Sequence, residues 1–151
     1  MKTEPIPKGY HTVTPGLTVK GADKVIEFLK RAFDATELSR IARADGGVMH
    51  AELKIGDSIV MVCEASELCK PTTASLYLYV NDADTVYRRA VQAGGVSQME
   101  LGDQFWGDRG GSVTDPAGNQ WWIATHIEDL SAAEIEKRGQ AWMQEYFKKA
   151  A

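Results

Sequence analysis

The sequence contains an internal repeat. Many residues of the first third return 61 positions later, as shown by the pairs Leu17 and Leu78, Val19 and Val80, Ala22 and Ala83, Asp23 and Asp84, Val25 and Val86, and Ala32 and Ala93. Two copies of about 60 residues are too few and too long for a solenoid, which stacks several shorter units. We therefore expect a duplicated module, with a cleft between the copies as the natural place for a binding site.

Composition excludes several functional classes. The chain has 151 residues, of which 44% are hydrophobic and 25% are charged, and its net charge is −4. This charge provides no electrostatic footprint for nucleic acid. No apolar stretch approaches the roughly 20 residues that span a membrane, and the polar residues 1–11 do not resemble a secretory signal. Two cysteines are too few for a disulfide framework. We expect a cytoplasmic protein without nucleic-acid or membrane partners.

Hydrophobic periodicity predicts the same order of elements in both copies. In the first copy it assigns a strand at 12–19, a helix at 22–33 and strands at 36–44, 48–55 and 59–63. In the second copy it assigns a strand at 75–80, a helix at 83–93, a strand at 96–101, a loop at 102–109 and strands at 111–114 and 120–125. A last helix at 131–149 begins with Ser131 and Glu134 in capping-box spacing.

These assignments predict an α+β fold. Two tandem βαβββ modules are expected to form a curved mixed sheet around a cleft, followed by a C-terminal helix. The expected organisation is an N-terminal tail (1–11), a first module (12–63), a linker (64–74), a second module (75–126) and a C-terminal helical extension (127–151).

Three sequence features together carry a resemblance to a known family. They are the repeated βαβββ register, the stretch Asp103-Gln104-Phe105-Trp106-Gly107-Asp108-Arg109, and the turn Asp115-Pro116-Ala117-Gly118-Asn119 followed by Trp122. With them the chain resembles the vicinal oxygen chelate superfamily of glyoxalases, bleomycin-resistance proteins and dioxygenases, and it looks like the PhnB-like branch. The resemblance covers residues 12–125. It implies that paired modules enclose a cleft and that two protomers associate as a homodimer.

The resemblance also implies where metal-using relatives carry their ligands. In this chain those positions are Thr14, Val60, Ser75 and Trp122. Two hydroxyls, an aliphatic side chain and an indole do not hold a divalent cation in water. A slip of one residue would exchange the strand faces and present Val13, Pro15, Leu76 or Trp121, which are no better. We therefore expect no metal and no cofactor at these positions.

His50 and Glu52 are two residues apart on one strand and so share a face. They are either a polar pair on an open sheet face or, joined by His11, a non-standard metal site. As a third alternative, His50 acts as a general base that Glu52 orients. Among the other candidate residues, Cys63 is interpreted as a small core residue, and His126 is expected to order the turn into the last helix.

Two further expectations concern the aromatic-rich second half. Trp121 and Trp142 are expected to pack in the core, and Asp108 and Arg109 are expected to make local hydrogen bonds in a turn.

The strand faces that point away from the helices are expected to line the cleft. Aromatic rings there provide stacking area, while hydroxyl groups fix the orientation of a ligand. The predicted ligand-binding residues are Thr14, Thr18, His50, Glu52, Ser75, Tyr77, Tyr79, Trp106 and Trp122. They predict a protein of the bleomycin-resistance kind that binds a small aromatic organic molecule, without metal, in an inter-module or inter-subunit cleft.

Two other functions stay open from the sequence. One is a metal-dependent lyase, isomerase or dioxygenase with a non-standard ligand set. The other is an interaction module that docks through the C-terminal helix. The sequence assigns no catalytic residue and does not identify the ligand.

Overall fold

The computed structural model describes residues 3–151. Within these residues the chain forms eight strands and three helices. In chain order they are β1 (Gly16–Val19), α1 (Ala22–Phe33), β2 (Thr36–Ala42), β3 (Val48–Ile55), β4 (Ser58–Glu64), β5 (Ser75–Tyr79), α2 (Ala83–Gln92), β6 (Val96–Asp103), β7 (Asp108–Thr114), β8 (Gln120–His126) and α3 (Ala132–Ala150).

The strands form two four-stranded mixed sheets with the same topology. Sheet A has the order β1-β4-β3-β2, and sheet B has the order β5-β8-β7-β6. In each sheet the first and last strands of the module pair in parallel, and the other neighbours are antiparallel. The prediction of two tandem βαβββ modules in an α+β fold is therefore confirmed.

The strand register corrects one of the four ligand positions that the family resemblance implies. Gly16 pairs with Met61 in sheet A, and Tyr77 pairs with Trp122 in sheet B. Met61 is thus the counterpart of Trp122, and the assignment of Val60 was wrong. Val60 is buried in the core. The turn glycines Gly56 and Gly118 are 62 residues apart, and this offset places the counterpart of Trp122 at Val60. The offset does not hold in the strands, because the turn before β4 is shorter than the turn before β8.

Local capping explains where the helices begin. Asp82 caps α2 by accepting a hydrogen bond from the Thr85 N–H, and Ser131 caps α3 by accepting one from the Glu134 N–H, as the capping-box spacing predicts. The first turn of α1 has no such local cap. The Glu64 carboxylate, at the end of β4, instead accepts hydrogen bonds from the N–H groups of Gly21 and Ala22.

Both modules share one hydrophobic core. Helices α1 and α2 pack against each other and against the sheets, and a single cluster of buried residues includes members of both halves. The Phe33 ring at the end of α1 lies 5.0 Å from the Trp121 ring of β8. Each sheet therefore has one face on this core and a second face, here called its open face, that points away from it.

Helix α3 lies outside this core. It contains no buried residue, and Trp142 is 45% exposed, so the expectation that Trp142 packs in the core was wrong. Its contacts include the Phe105 ring, which lies against Gly139 and 5.8 Å from the Trp142 ring. Across residues 3–151, no helix combines the length and apolar character that crossing a bilayer requires.

Candidate functional site

Four aromatic side chains form a continuous surface on the open face of sheet B. They are Tyr77, Tyr79, Trp106 and Trp122, here called the aromatic face. Tyr77 stacks on Trp122 with ring centroids 5.9 Å apart and planes 11° apart. Tyr79 lies 5.1 Å from Tyr77, and Trp106 meets Trp122 edge-on at 6.0 Å.

The strands place these rings together for a simple reason. Alternate residues of a strand share a face, so Tyr77 and Tyr79 on β5 point the same way. Parallel pairing sets Trp122 of β8 beside Tyr77. Trp106 comes from the turn between β6 and β7, so it reaches the same surface from the end of the sheet.

Asp108 is the buried anchor of this surface. Its side chain is only 2% exposed, yet it is a carboxylate. The Oδ2 atom accepts hydrogen bonds from the hydroxyl groups of Tyr77 at 2.7 Å and Tyr79 at 3.1 Å and from the Trp106 indole N–H at 3.0 Å. The Oδ1 atom lies 2.9 Å from His126 Nδ1. These partners offset the desolvation cost of the buried charge and fix the orientation of three rings.

The electrostatics of this network favour a charged Asp108 and neutral tyrosines. Burial raises the pKa of Asp108, but hydrogen bonds led by that from His126 outweigh burial and hold the pKa below its usual value. Burial, followed by the hydrogen bond to Asp108, raises the pKa of Tyr77 and of Tyr79. At neutral pH both hydroxyl groups are therefore donors, and neither is suited to act as a base or a nucleophile.

His126 connects the aromatic face to the segment that leads into α3. Its Nδ1 atom faces Asp108, and its Nε2 atom lies 2.9 Å from Asp129 Oδ1. The contact with Asp108, and then that with Asp129, raises the pKa of His126. As expected, His126 contacts the turn into α3 through Asp129, but no sequence pattern indicates its contact with the buried carboxylate of Asp108.

The turn that carries Trp106 is fixed by a close backbone approach. Gly107 has a φ of +96°, and a Cβ atom there would lie 2.3 Å from the carbonyl oxygen of Glu128. The Gly107 carbonyl accepts hydrogen bonds from the N–H groups of Ile127 and Glu128. Only glycine fits this position, and the turn is thereby attached to the chain beyond β8.

Arg109, the neighbour of Asp108, points to the other side of the sheet. It makes two hydrogen bonds to Asp84 on α2 and one to Asp103. The expectation of local hydrogen bonds in a turn was wrong in part for both residues, which lie at the start of β7. Two of the three Arg109 bonds reach Asp84, 25 residues away, and three partners of Asp108 lie on β5 and β8, at least 18 residues away.

The open face of sheet A carries a different, more polar group of residues. His50 Nδ1 lies 3.1 Å from Cys63 Sγ, and His50 Nε2 lies 3.6 Å from Glu52 Oε1. Thr18 lies beside Cys63 in the parallel register. Cys63 is partly exposed, so its interpretation as a core residue was wrong. Because Val60 and Val62 face the core, the alternation of β4 turns Cys63 outward.

A sequence comparison places the chain in a family. Residues 10–123 match the Glyoxalase/Bleomycin resistance protein/Dioxygenase superfamily. The chain belongs to this superfamily. A protein of Mycobacterium bovis, Mb0911c, is 34% identical over 135 residues, which cover 82% of this chain and 89% of the relative.

Solved structures of other proteins show the same superfamily fold. TioX from Micromonospora sp. ML1 is 28% identical, with a TM-score of 0.67, and the match covers 78% of this chain and 99% of TioX. The PhnB protein of Bacillus cereus is 22% identical, with a TM-score of 0.62, and the match covers 76% of this chain and 99% of that protein.

The positions at which metal-using superfamily members carry ligands do not fit a metal in this chain. With the corrected register they are Thr14, Met61, Ser75 and Trp122. Two hydroxyls, a thioether and an indole provide no imidazole, thiolate or carboxylate. Among residues 3–151, moreover, no group of three or more His, Cys, Asp or Glu side chains is arranged to hold an ion.

The structure divides the predicted ligand-binding residues between the two sheets. On the sheet A side lie Thr14, Thr18, His50 and Glu52, and on the sheet B side lie Ser75, Tyr77, Tyr79, Trp106 and Trp122. A pocket of about 420 Å³ is lined in part by Thr14 and Glu52 of the first group. A cleft of about 790 Å³ between the modules is lined in part by Tyr77 and Tyr79 of the second group. Neither cavity joins the two groups within one chain.

Proposed function

We propose that this superfamily member is a small-molecule binding protein that takes a planar aromatic organic ligand on the aromatic face. The observation that carries the proposal is the set of four adjoining rings, three of which have their polar atom hydrogen-bonded to the buried Asp108. Tyr77 is 42% exposed and Tyr79 is 62% exposed. A ligand therefore has direct access to the ring surfaces.

Pre-organisation supports this use of the aromatic face. Binding normally costs free energy when flexible side chains become ordered. Here the hydroxyl groups of Tyr77 and Tyr79 and the indole N–H of Trp106 are already engaged, so the rings hold their positions before a ligand arrives. What they offer is π surface, for which a flat aromatic molecule is the complementary partner.

Polar groups at the edge of the surface provide orientation. Ser75 Oγ donates to Gln120 Oε1 at 3.3 Å, and the Gln120 amide donates to Ser112 Oγ at 3.3 Å. These long hydrogen bonds can be exchanged for bonds to a ligand. A few polar groups beside a large apolar area are typical of small-molecule sites.

The same geometry favours binding over metal-dependent catalysis. The donor set at the superfamily ligand positions does not fit a divalent cation, and His50 and Glu52, the residues of the alternative metal site, lie on the other sheet. The raised pKa values of Tyr77 and Tyr79 also leave no phenolate at neutral pH. Membership of the PhnB-like branch remains part of this proposal, supported by the sequence stretch between Asp103 and Trp122.

The first test measures ligand binding by a tryptophan variant. A thermal-shift screen of flat polycyclic compounds identifies a ligand, and its affinity is then measured by calorimetry. Trp122→Ala is expected to weaken binding at least about tenfold, because a stacking anchor at the centre of a site contributes on the order of 2 kcal/mol.

The control for this test is Trp142→Ala. It makes the same chemical change at an exposed tryptophan on α3, where the ring contacts Phe105 and Tyr146 rather than the aromatic face. Affinity should remain within about twofold of the wild type. Equal losses in both variants, or no loss in Trp122→Ala, would contradict binding on the aromatic face.

We also propose that two copies of the chain associate. The exposed side of α3 presents Trp142, Met143, Tyr146 and Phe147, which are 45–63% exposed. This apolar strip continues to Phe105, whose ring contacts both Trp142 and Trp106 of the aromatic face. Monomeric proteins rarely leave such a contiguous strip in water, and a second copy would cover it.

Truncation after Asp129 tests this association. Removal of α3 is expected to convert a dimer into a monomer in analytical ultracentrifugation, because the apolar strip is lost while the shared core stays intact. A truncated protein that still sediments as a dimer would show that α3 is only a cover, and a monomeric full-length chain would contradict the association itself.

A further inference from the structure

A second cluster of reactive side chains lies on the open face of sheet A, apart from the aromatic face. Cys63 on β4 and His50 on β3 are direct partners in the antiparallel register, and Cys63 Sγ lies 3.1 Å from His50 Nδ1. The other ring nitrogen, Nε2, lies 3.6 Å from Glu52 Oε1. Thiol, imidazole and carboxylate follow one another in the order of a nucleophile, its base and the group that orients the base.

The carboxylate at the end of this series is itself held in place. Tyr10 OH and Ser39 Oγ both donate to Glu52 Oε2, which leaves Oε1 towards His50. The hydrogen bond from Tyr10 lowers the pKa of Glu52, so the carboxylate is ionised at neutral pH. A negative charge beside Nε2 favours the tautomer with its proton on Nε2, and Nδ1 is then free to accept the thiol proton.

The directions of the ring nitrogens separate a proton relay from a metal site. Nδ1 and Nε2 of an imidazole point away from each other, and here one faces Cys63 while the other faces Glu52. A metal ion held by Nδ1 and the Cys63 sulfur would lie across the ring from the Glu52 oxygens. The three side chains therefore do not converge on one point, as ligands of a single ion must.

The environment of Cys63 makes the base necessary. Burial raises the pKa of the Cys63 thiol, so the unassisted side chain is protonated at neutral pH and is a weak nucleophile. The cluster is nonetheless open to small molecules, since the side chains of His50 and Glu52 are 26% and 23% exposed.

A neighbouring pocket indicates the kind of molecule that reaches the cluster. The pocket of about 420 Å³ includes Glu52 and Met61 in its wall. Met61 shares the open face of β4 with Cys63, two residues away. Most of the remaining wall is apolar or aromatic, with Pro5, Ile6, Pro7 and Tyr10 among its members. A small molecule with an apolar body fits such a pocket, next to Glu52 and Met61.

We propose that Cys63 is a nucleophilic thiol, deprotonated by His50, that adds to small α,β-unsaturated carbonyl compounds entering through this pocket. The Sγ proton moves to His50 Nδ1, and an S–C bond forms at the β-carbon of the activated alkene. The π electrons of the C=C bond pass to the carbonyl as an enolate, which takes the proton back from Nδ1. The product is a saturated thioether on Cys63, and no oxidant or further reactant is consumed.

Acrylamide, an α,β-unsaturated amide, is the test reagent for the reduced full-length chain. Initial rates of adduct formation at Cys63 and Cys69 are measured by peptide mass spectrometry, and the exposed Cys69 serves as the internal reference. In the wild type the Cys63-to-Cys69 rate ratio is expected to be higher at pH 7 than at pH 9.5. Assistance by a base matters only while the thiol is protonated, whereas a thiol with a raised pKa and no base would show the opposite trend.

Two variants locate the base and the residue that positions it. His50→Gln is expected to slow Cys63 adduction at pH 7 by about 100-fold, the low end of general-base effects, with the Cys69 rate unchanged. In this variant the ratio should rise with pH. Glu52→Gln should slow Cys63 adduction less and shift the same pH profile towards that of His50→Gln. Circular dichroism melting confirms that each variant is folded.

Either of two results overturns the proposal. One is a wild-type rate ratio at pH 7 that is equal to or below the ratio at pH 9.5. The other is an unchanged Cys63 rate in a folded His50→Gln protein. If His50→Gln fails to fold, the comparison of wild-type rate ratios at pH 7 and pH 9.5 still tests the proposal. Ligand binding on the aromatic face is measured separately, and Cys63→Ser should leave it intact.

Discussion

Replacement of Asp108 by alanine is expected to lower the free energy of unfolding by about 3 kcal/mol and to weaken ligand binding on the aromatic face. The variant leaves the hydroxyl groups of Tyr77 and Tyr79 without their acceptor, and the Trp106 indole N–H keeps only the Tyr77 hydroxyl as a partner. Each hydrogen bond to a charged acceptor contributes about 1.5–3 kcal/mol, and the exposed donors recover part of this loss from water. Without the anchor, the three rings no longer hold one orientation.

Urea unfolding and calorimetry check the two parts of this expectation. Asp108→Asn is a milder variant, because the amide oxygen can still accept from the tyrosines, and about half the loss is expected. Asp103→Ala is the matched control: this carboxylate is 68% exposed and pairs with Arg109, so a change below about 1 kcal/mol is expected. Equal stabilities of Asp108→Ala and Asp103→Ala would contradict the anchoring role.

The largest loss of stability is expected from Trp121→Ala, at about 3–5 kcal/mol. Trp121 is 2% exposed, and its ring packs against Phe33 of the first module. Its indole N–H donates to the Asp115 carboxylate at 3.1 Å. The variant therefore creates a cavity between the modules and removes a donor from a buried carboxylate, and large-to-small changes of this kind have the stated cost.

The adjacent residue supplies the control. Trp122→Ala makes the same substitution one position further along β8, on the open face, and should cost less than half as much. Urea midpoints with unchanged slopes measure both losses. If the two variants lost equal stability, the assignment of Trp121 to the core and Trp122 to the open face would be contradicted.

Much of the fold follows from patterns that are local in the chain. The alternation of Leu76 and Leu78 with Tyr77 and Tyr79 gives the faces of β5, and Ser131 with Glu134 predicts the first turn of α3. The loop before β7 was predicted too long, because β6 continues to Asp103 and β7 starts at Asp108. Gly102, predicted as the first loop residue, lies in β6 and pairs with Gly110 of β7.

The candidate site was harder to predict, because its key contacts cross strands. Asp108 meets His126 only when β7 and β8 are aligned. The two residues are 18 positions apart, so no local sequence pattern around Asp108 indicates this partner. Cys63 gave a signal that was overlooked, since alternation with the buried Val62 turns it towards His50. Whether the two groups of ligand-binding residues share one cavity depends on how the modules pack, which periodicity alone does not determine.

The shared core has a consequence for how the duplicated halves behave. Phe33 and Trp121 belong to different copies of the repeat, yet each fills space beside the other, and Arg89 of the second copy donates to the Ala32 carbonyl of the first. Neither half can therefore lose its packing without exposing the other. The symmetry of the repeat persists in the order of elements, but we expect the two halves to unfold as one cooperative unit.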